Sequence, residues 1–399
     1  MSPYPRPGIL VAVLALVIAT YPVASDAGLG DKLKKKAEDK ANKKADDALN
    51  KKTDTSAKEA STPAESGKPA ESAATSGDKP AVSAVSTKFD FVPGDKVLLF
   101  DDFSEDELGD FPAHWKLNAG TVETAEMDGE RWLRLAGDYG RVRPKVNIKL
   151  PEFWTLEFDI NTTAPGASIV VRGIVEGNVG AWGADLLQYG NTTVTFQAGS
   201  VNAVTEYEGG AVMTGRHHVM VMARGTALKI YVDTQRVINV PDVTEVGAAT
   251  EVQIEMSGID SQPMITNVRF AEGNKPTKDP FAAGKFVTYG IYFDSGSDVV
   301  KAESAPVLRQ MAAYLEANAA VKVQIDGHTD NQGTAAGNLD LSKRRAASVA
   351  RILSDQFKIA ADRFKTDGLG DTKPVASNDN AEGRATNRRV EFTKLGAGS

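Results

Sequence analysis

Hydrophobic positions change their spacing repeatedly along this chain. Ile9 to Ala19 is an unbroken apolar run. From 29 to 59, Leu29, Leu33, Ala37, Ala41, Ala45, Ala48 and Leu49 recur at helical intervals among Lys and Asp. Alanine buries little area, so the stripe predicts a marginal, solvated helix. From 53 to 88, large apolar side chains almost vanish and Ser, Thr, Ala, Pro, Lys and Glu dominate. Such a segment does not offset its own ordering entropy and is expected to be a disordered linker.

From Phe89 to Gly273 the spacing becomes that of strands. Short runs such as Trp132-Leu133-Arg134-Leu135, Trp154-Thr155-Leu156-Glu157-Phe158-Asp159-Ile160, Leu228-Lys229-Ile230-Tyr231-Val232 and Val252-Gln253-Ile254-Glu255-Met256 alternate, separated by Gly, Asn, Asp and Pro. That spacing predicts an all-β sandwich. Residues 274–284, with two prolines, read as a second linker. Beyond it both periods occur. Strands are predicted at Phe286–Phe293, Val321–Ile325, Arg363–Leu369 and Arg389–Lys394, and helices at Ala302–Ala317 and Leu341–Phe357. Strands alternating with helices predict an α+β domain, βαβαββ, with helices on one face of a sheet.

The first apolar run, preceded by Arg6 and followed by the small residues Ala24, Ser25 and Ala27, reads as a signal peptide over 1–27. It is short for a membrane span, which needs about 20 residues; an uncleaved anchor is the alternative. The sequence holds no cysteine, which excludes disulfides, thiolate metal sites and a lipid-bearing cysteine. Its net charge of -7 argues against nucleic-acid binding.

The chemistry concentrates in the last domain. Asp330 follows a predicted strand, the loop to Asn338 contains Gly333 and Gly337, and Ser342 is a candidate N-cap for the next helix. Arg345 would then lie on the first turn, where the helix dipole also favours an anion. A carboxylate facing a guanidinium suits a ligand that carries both ammonium and carboxylate. His328 reads as a structural turn residue, with no metal partners in view.

Together Tyr292-Phe293-Asp294, Gly327-His328-Thr329-Asp330, Asn338, Leu341-Ser342-Lys343-Arg344-Arg345-Ala346 and Asn387-Arg388-Arg389-Val390 resemble the OmpA-like peptidoglycan-binding domain. Gly368-Leu369-Gly370, Pro374 and Arg384 also fit. The resemblance implies that Asp330 and Arg345 hold the diaminopimelate of a stem peptide, with Thr329, Asn338 and Arg388 as supporting contacts. Ser295-Gly296-Ser297 would form the opposite wall. It also implies a periplasmic protein of a Gram-negative envelope, associated with the cell wall or outer membrane, with no cofactor.

In the middle region, Phe100-Asp101-Asp102-Phe103, His114-Trp115 and Leu228-Lys229-Ile230-Tyr231-Val232-Asp233 loosely resemble a concanavalin or laminin-G jelly roll. Such modules bind sugars or proteins, and Trp182, in a loop-like Gly-Ala-Trp-Gly context, is the candidate for stacking on a sugar. Asp101, Asp102 and Asp185 are isolated acidic residues that read as solvent-facing rather than calcium ligands. The domains expected are therefore a signal peptide (1–27), a helix and linker (28–88), a β-sandwich (89–273), a linker (274–284) and the OmpA-like domain (285–395). A non-enzymatic adaptor for peptidoglycan is the leading reading, the sandwich meeting a glycan or an envelope protein. The alternative is a wall-targeted glycoside hydrolase using Glu157 and Asp159, which alternate on one strand face.

Overall fold

The alternating runs between Phe89 and Gly273 become strands of one large sheet. The structure, a computed structural model, describes residues 81–396 except 146–149, 163, 165, 176–177, 189–192, 209–213, 259–260 and 274–278. The expected signal peptide, the 29–59 helix and the linker up to residue 80 lie outside the described residues.

The strands of the β region are β1 (Lys96–Asp101), β2 (Trp115–Met127), β3 (Glu130–Pro144), β4 (Phe153–Thr162), β5 (Ala167–Val175), β6 (Asn178–Gln188), β7 (Thr193–Ala198), β8 (Val201–Glu206), β9 (Gly215–Arg224), β10 (Ala227–Val232), β11 (Gln235–Val240), β12 (Glu251–Gly258) and β13 (Met264–Glu272). One short helix, α1 (Thr244–Ala248), precedes β12. The strand order is β11-β10-β9-β4-β13-β3-β12-β5-β6-β7-β8, with β1 also on β13 and β2 on β3. The ends meet, since β11 lies against β7 and β8, so the sheet curls over its own apolar face. Alternation explains the core: along β7, Val194, Phe196 and Ala198 are buried while their neighbours are not.

The C-terminal domain is a four-stranded sheet of β14 (Lys285–Thr288), β15 (Val323–His328), β16 (Phe364–Gly370) and β17 (Val390–Lys394), in the order β14-β17-β15-β16. Its helices are α2 (Ala305–Ala317), α3 (Ala335–Asp355) and α4 (Ala381–Asn387). β15 and β16, joined through α3, pair in parallel, as a helical crossover requires. α3 presses closely onto this pair. A Cβ on Gly327 would stand 2.4 Å from the Ser342 carbonyl oxygen, and one on Gly368 would stand 2.1 Å from the Lys343 nitrogen.

Several expectations need correcting. α3 begins at Ala335, not near Ser342, because Thr334 caps it by accepting from the Gly337 N–H at 3.1 Å. Ser342 is an interior residue whose hydroxyl donates to the Leu339 carbonyl and accepts from the Gly370 N–H. The first predicted strand is a ladder only over Lys285–Thr288, and beyond it Phe293 makes a single bridge to Val300. α4 was not expected: seven residues with an interior glycine carry little periodicity, and Asn380 caps it through the Gly383 N–H.

The expected linkers are also not free spacers. Val82 and Val85 of the first are buried, with Phe89 just beyond it, as is Phe281 within 274–284. With Phe91 they join Met220, Met222 and Tyr231 of β9 and β10 and Val307, Leu308 and Met311 of α2 in one apolar cluster. Arg309 of α2 donates to the carbonyls of Val85, Ser86 and Phe89. The β region and the C-terminal domain thus share a core.

Candidate functional site

The site lies where β15 ends, beside α3 and the end of α4. Thr329, the first residue past β15, donates its N–H to the Gly370 carbonyl at 3.0 Å. Asp330 follows, and its backbone carbonyl accepts from Asn338 Nδ2 at 3.1 Å. Its carboxylate accepts from the Gln332 N–H at 3.1 Å through Oδ1 and from Arg388 Nη1 at 2.6 Å through Oδ2. Arg388 leaves α4 immediately after Asn387. That asparagine is fully buried and ties the preceding loop down, accepting from the Val375 and Ala376 N–H groups and donating to the Ala376 carbonyl and the Asn378 side chain.

Arg345 projects from the middle of α3. Its Nε donates to the Ser297 carbonyl at 2.9 Å and its Nη2 to the Asp294 carbonyl at 3.2 Å. Its guanidinium carbon stands 4.7 Å from the centre of the Phe293 ring. The expected wall at Ser295-Gly296-Ser297 therefore touches Arg345, through backbone oxygen. Burial and then the like charge of Arg388 hold the Arg345 pKa below its ordinary value. Asp330 makes its direct ion pair with Arg388 rather than with Arg345. Arg345 feels the Asp330 and Asp298 carboxylates only through space, so its guanidinium has no direct carboxylate partner and suits an incoming anion.

The family model described as the OmpA family matches residues 292–388, and the chain is 38% identical over 135 residues to Outer membrane protein A of Bordetella avium, covering 34% of this chain and 69% of that protein. The chain belongs to the OmpA family. It is also 43% identical over 103 residues to the probable lipoprotein YiaD of Escherichia coli strain K12, covering 26% of this chain and 47% of that one. A solved peptidoglycan-associated lipoprotein from Burkholderia pseudomallei is 31% identical, covering 30% of this chain and 95% of its own, with a TM-score of 0.26. The chain thus spans about two thirds of one curated relative and about half of the other.

Within this OmpA-like domain the sequence-predicted residues divide by exposure. Arg388 and Arg345 are partly open, the Arg388 side chain 37% exposed. Asp330 is buried apart from its rim, and Asn338 is buried and spent on the Asp330 carbonyl, so it positions that loop. The Thr329 hydroxyl is buried without a hydrogen-bond partner among the described residues. The dipole argument for Arg345 fails, because the helix start lies ten positions earlier in the chain. His328 is buried with its Nε2 3.7 Å from Glu391; burial and then Arg389 push its pKa down to about 4, so the ring is neutral. Phe293 and Asn387 belong to the motifs above, but no local pattern shows that one lies under Arg345 and the other ties down the 375–378 loop.

The β-region candidates fare differently. Trp182 is on β6, 1% exposed, and stacks on Trp154 with ring centres 6.5 Å apart. It cannot meet a sugar: its indole lies over its cross-strand partner Gly173, where a Cβ would stand 1.9 Å from the Trp182 Nε1. Glu157 and Asp159 are also unavailable as catalytic acids. Glu157 binds Arg269 at 2.8 Å and accepts from the Tyr292 hydroxyl, while Asp159 binds His218 at 2.7 Å and Arg216 at 2.6 Å. Both are buried, which removes the geometric basis of the glycoside hydrolase reading.

Proposed function

We propose that the C-terminal domain binds peptidoglycan without breaking a bond, gripping the diaminopimelate of the stem peptide. OmpA-like domains bind peptidoglycan, and the observation that carries the reading here is the grouping of Asp330 with Arg345 and Arg388. The ligand ammonium takes the Asp330 carboxylate and the ligand carboxylate lies against the guanidiniums, an arrangement of charge-assisted hydrogen bonds. Thr329 contributes its unpaired hydroxyl. The protein works in the cell envelope on the periplasmic side; among the described residues no helix is long and apolar enough to cross a membrane.

The β region, read as a concanavalin-like jelly roll over 89–273, carries the second surface of the adaptor, for a glycan or an envelope protein. Trp182 being internal, the surface that suits such a ligand is polar. Arg141 on β3 and Arg172 on β5 both bind Glu255 of β12 at 2.8 Å, and each arginine side chain remains about one-third exposed.

Retention on purified sacculi tests the first reading. Asp330→Ala or Arg345→Ala is expected to lower binding at least about tenfold, the worth of a hydrogen bond to a charged group. Both variants binding as well as wild type would refute the site.

A further inference from the structure

The β region touches this site, and nothing in the OmpA-like pattern requires it to. Phe100, on β1, lies under Arg388: the guanidinium carbon is 5.1 Å from the centre of its ring. Phe100 is held in turn by Ala381 and Ala385 of α4, with which it forms a small separate apolar cluster. The loop after β1 reinforces the dock. Glu105 accepts from the Ala381 N–H and binds Arg384 at 3.2 Å. The contacts with Ala381, Arg384 and Ala385 all fall on the helix that ends one residue before Arg388.

The pocket gives a reason for such support. Arg388 and Arg345 feel one another's charge: burial first, and then Arg388, lower the Arg345 pKa. Asp330 offers only one carboxylate to the pair. Left to itself, the half-exposed Arg388 side chain would relax away from a second cation into solvent, at little cost. The negative face of an aromatic ring opposes that escape without adding a competing carboxylate. The site gains a fixed second guanidinium without a further carboxylate to compete for it.

We infer that Phe100 of the β region is a positioning residue of the peptidoglycan site, holding Arg388 against Asp330 so that a ligand carboxylate meets two fixed guanidiniums. The ligand pocket is then assembled from both domains, and the β region tunes its affinity. This rests on the reading proposed above.

Calorimetric titration of the full chain with free meso-diaminopimelate, at one ionic strength, separates the possibilities. Phe100→Leu keeps an apolar side chain against Ala381 and Ala385 but removes the ring face. It is expected to weaken binding about tenfold, within the range of a partly desolvated cation–π contact. Phe100→Trp is expected to restore wild-type affinity. In an Arg388→Gln background, Phe100→Leu should have no further effect, because its partner is gone. Equal loss in both backgrounds, loss with Phe100→Trp at unchanged melting temperature, or wild-type affinity in Phe100→Leu would overturn the inference. Failure of the wild-type chain to bind, or undiminished binding by Asp330→Ala, would instead refute the underlying site.

Discussion

At the scale of single residues, burial decides what chemistry a side chain is free to do. His218 lies between Asp159 at 2.7 Å and Glu157 at 3.6 Å, with the Tyr292 ring against it. Burial alone would lower its pKa, but the two carboxylates outweigh this and raise it to about 10. Because the folded value is above the ordinary 6.5, the stabilisation is complete below that pH and is lost as pH rises towards 10. Both carboxylates are held below their ordinary values by His218 and the neighbouring cations despite burial, so they stay ionised across this window. Melting temperature should therefore fall between pH 7 and 10, and His218→Gln should flatten that fall; identical slopes would contradict the assignment. Trp182 is the opposite case, a residue whose sequence context suggested exposure. Trp182→Ala is expected to cost about 3–5 kcal/mol in denaturant unfolding, the usual range for a buried Trp. Sacculus binding of the folded fraction should stay unchanged.

At the scale of elements, the site depends on how closely α3 lies on β15 and β16. Gly327 and Gly368 permit that approach, and it sets the height at which Arg345 faces Ser297 and Asp294. Gly368→Ala would drive a methyl group into the Lys343 backbone. It should destabilise by about 1–3 kcal/mol, as overpacking does, and weaken diaminopimelate binding as well, read by thermal melting and titration. Wild-type stability would mean that the helix has room to shift. Much of this was legible in sequence. The Leu341-Ser342-Lys343-Arg344-Arg345-Ala346 run marks a helix and places its arginine, and Val323 and Ile325 alternate as a strand. The start of α3 was not legible, because Ala335-Ala336-Gly337 has no apolar stripe and the cap at Thr334 shows itself only through geometry. α4 is too short to show a period, yet it delivers Arg388.

At the scale of the whole molecule, the two domains behave as one body because they share side chains. Met220, Met222 and Tyr231 face away from the interior of the β region and complete the core beneath α2. The Tyr292 hydroxyl reaches across to Glu157, fixing the segment after β14 from which Phe293 supports Arg345. Calorimetry of the chain should accordingly show one unfolding transition for residues 81–396, with matching calorimetric and van 't Hoff enthalpies. Two separated transitions would show that the shared core is not cooperative. The sequence by itself determined the order of periodicities, the β region before the α+β domain, and the identity of the charged residues that resemble a diaminopimelate clamp. It could do so because side-chain period and turn chemistry are local properties. Only the tertiary structure decided that Asp330 pairs with Arg388, that Trp182 is internal, and that Phe100 of one domain lies beneath an arginine of the other. Those facts depend on contacts between residues far apart in the chain, and no local pattern records which distant partner arrives.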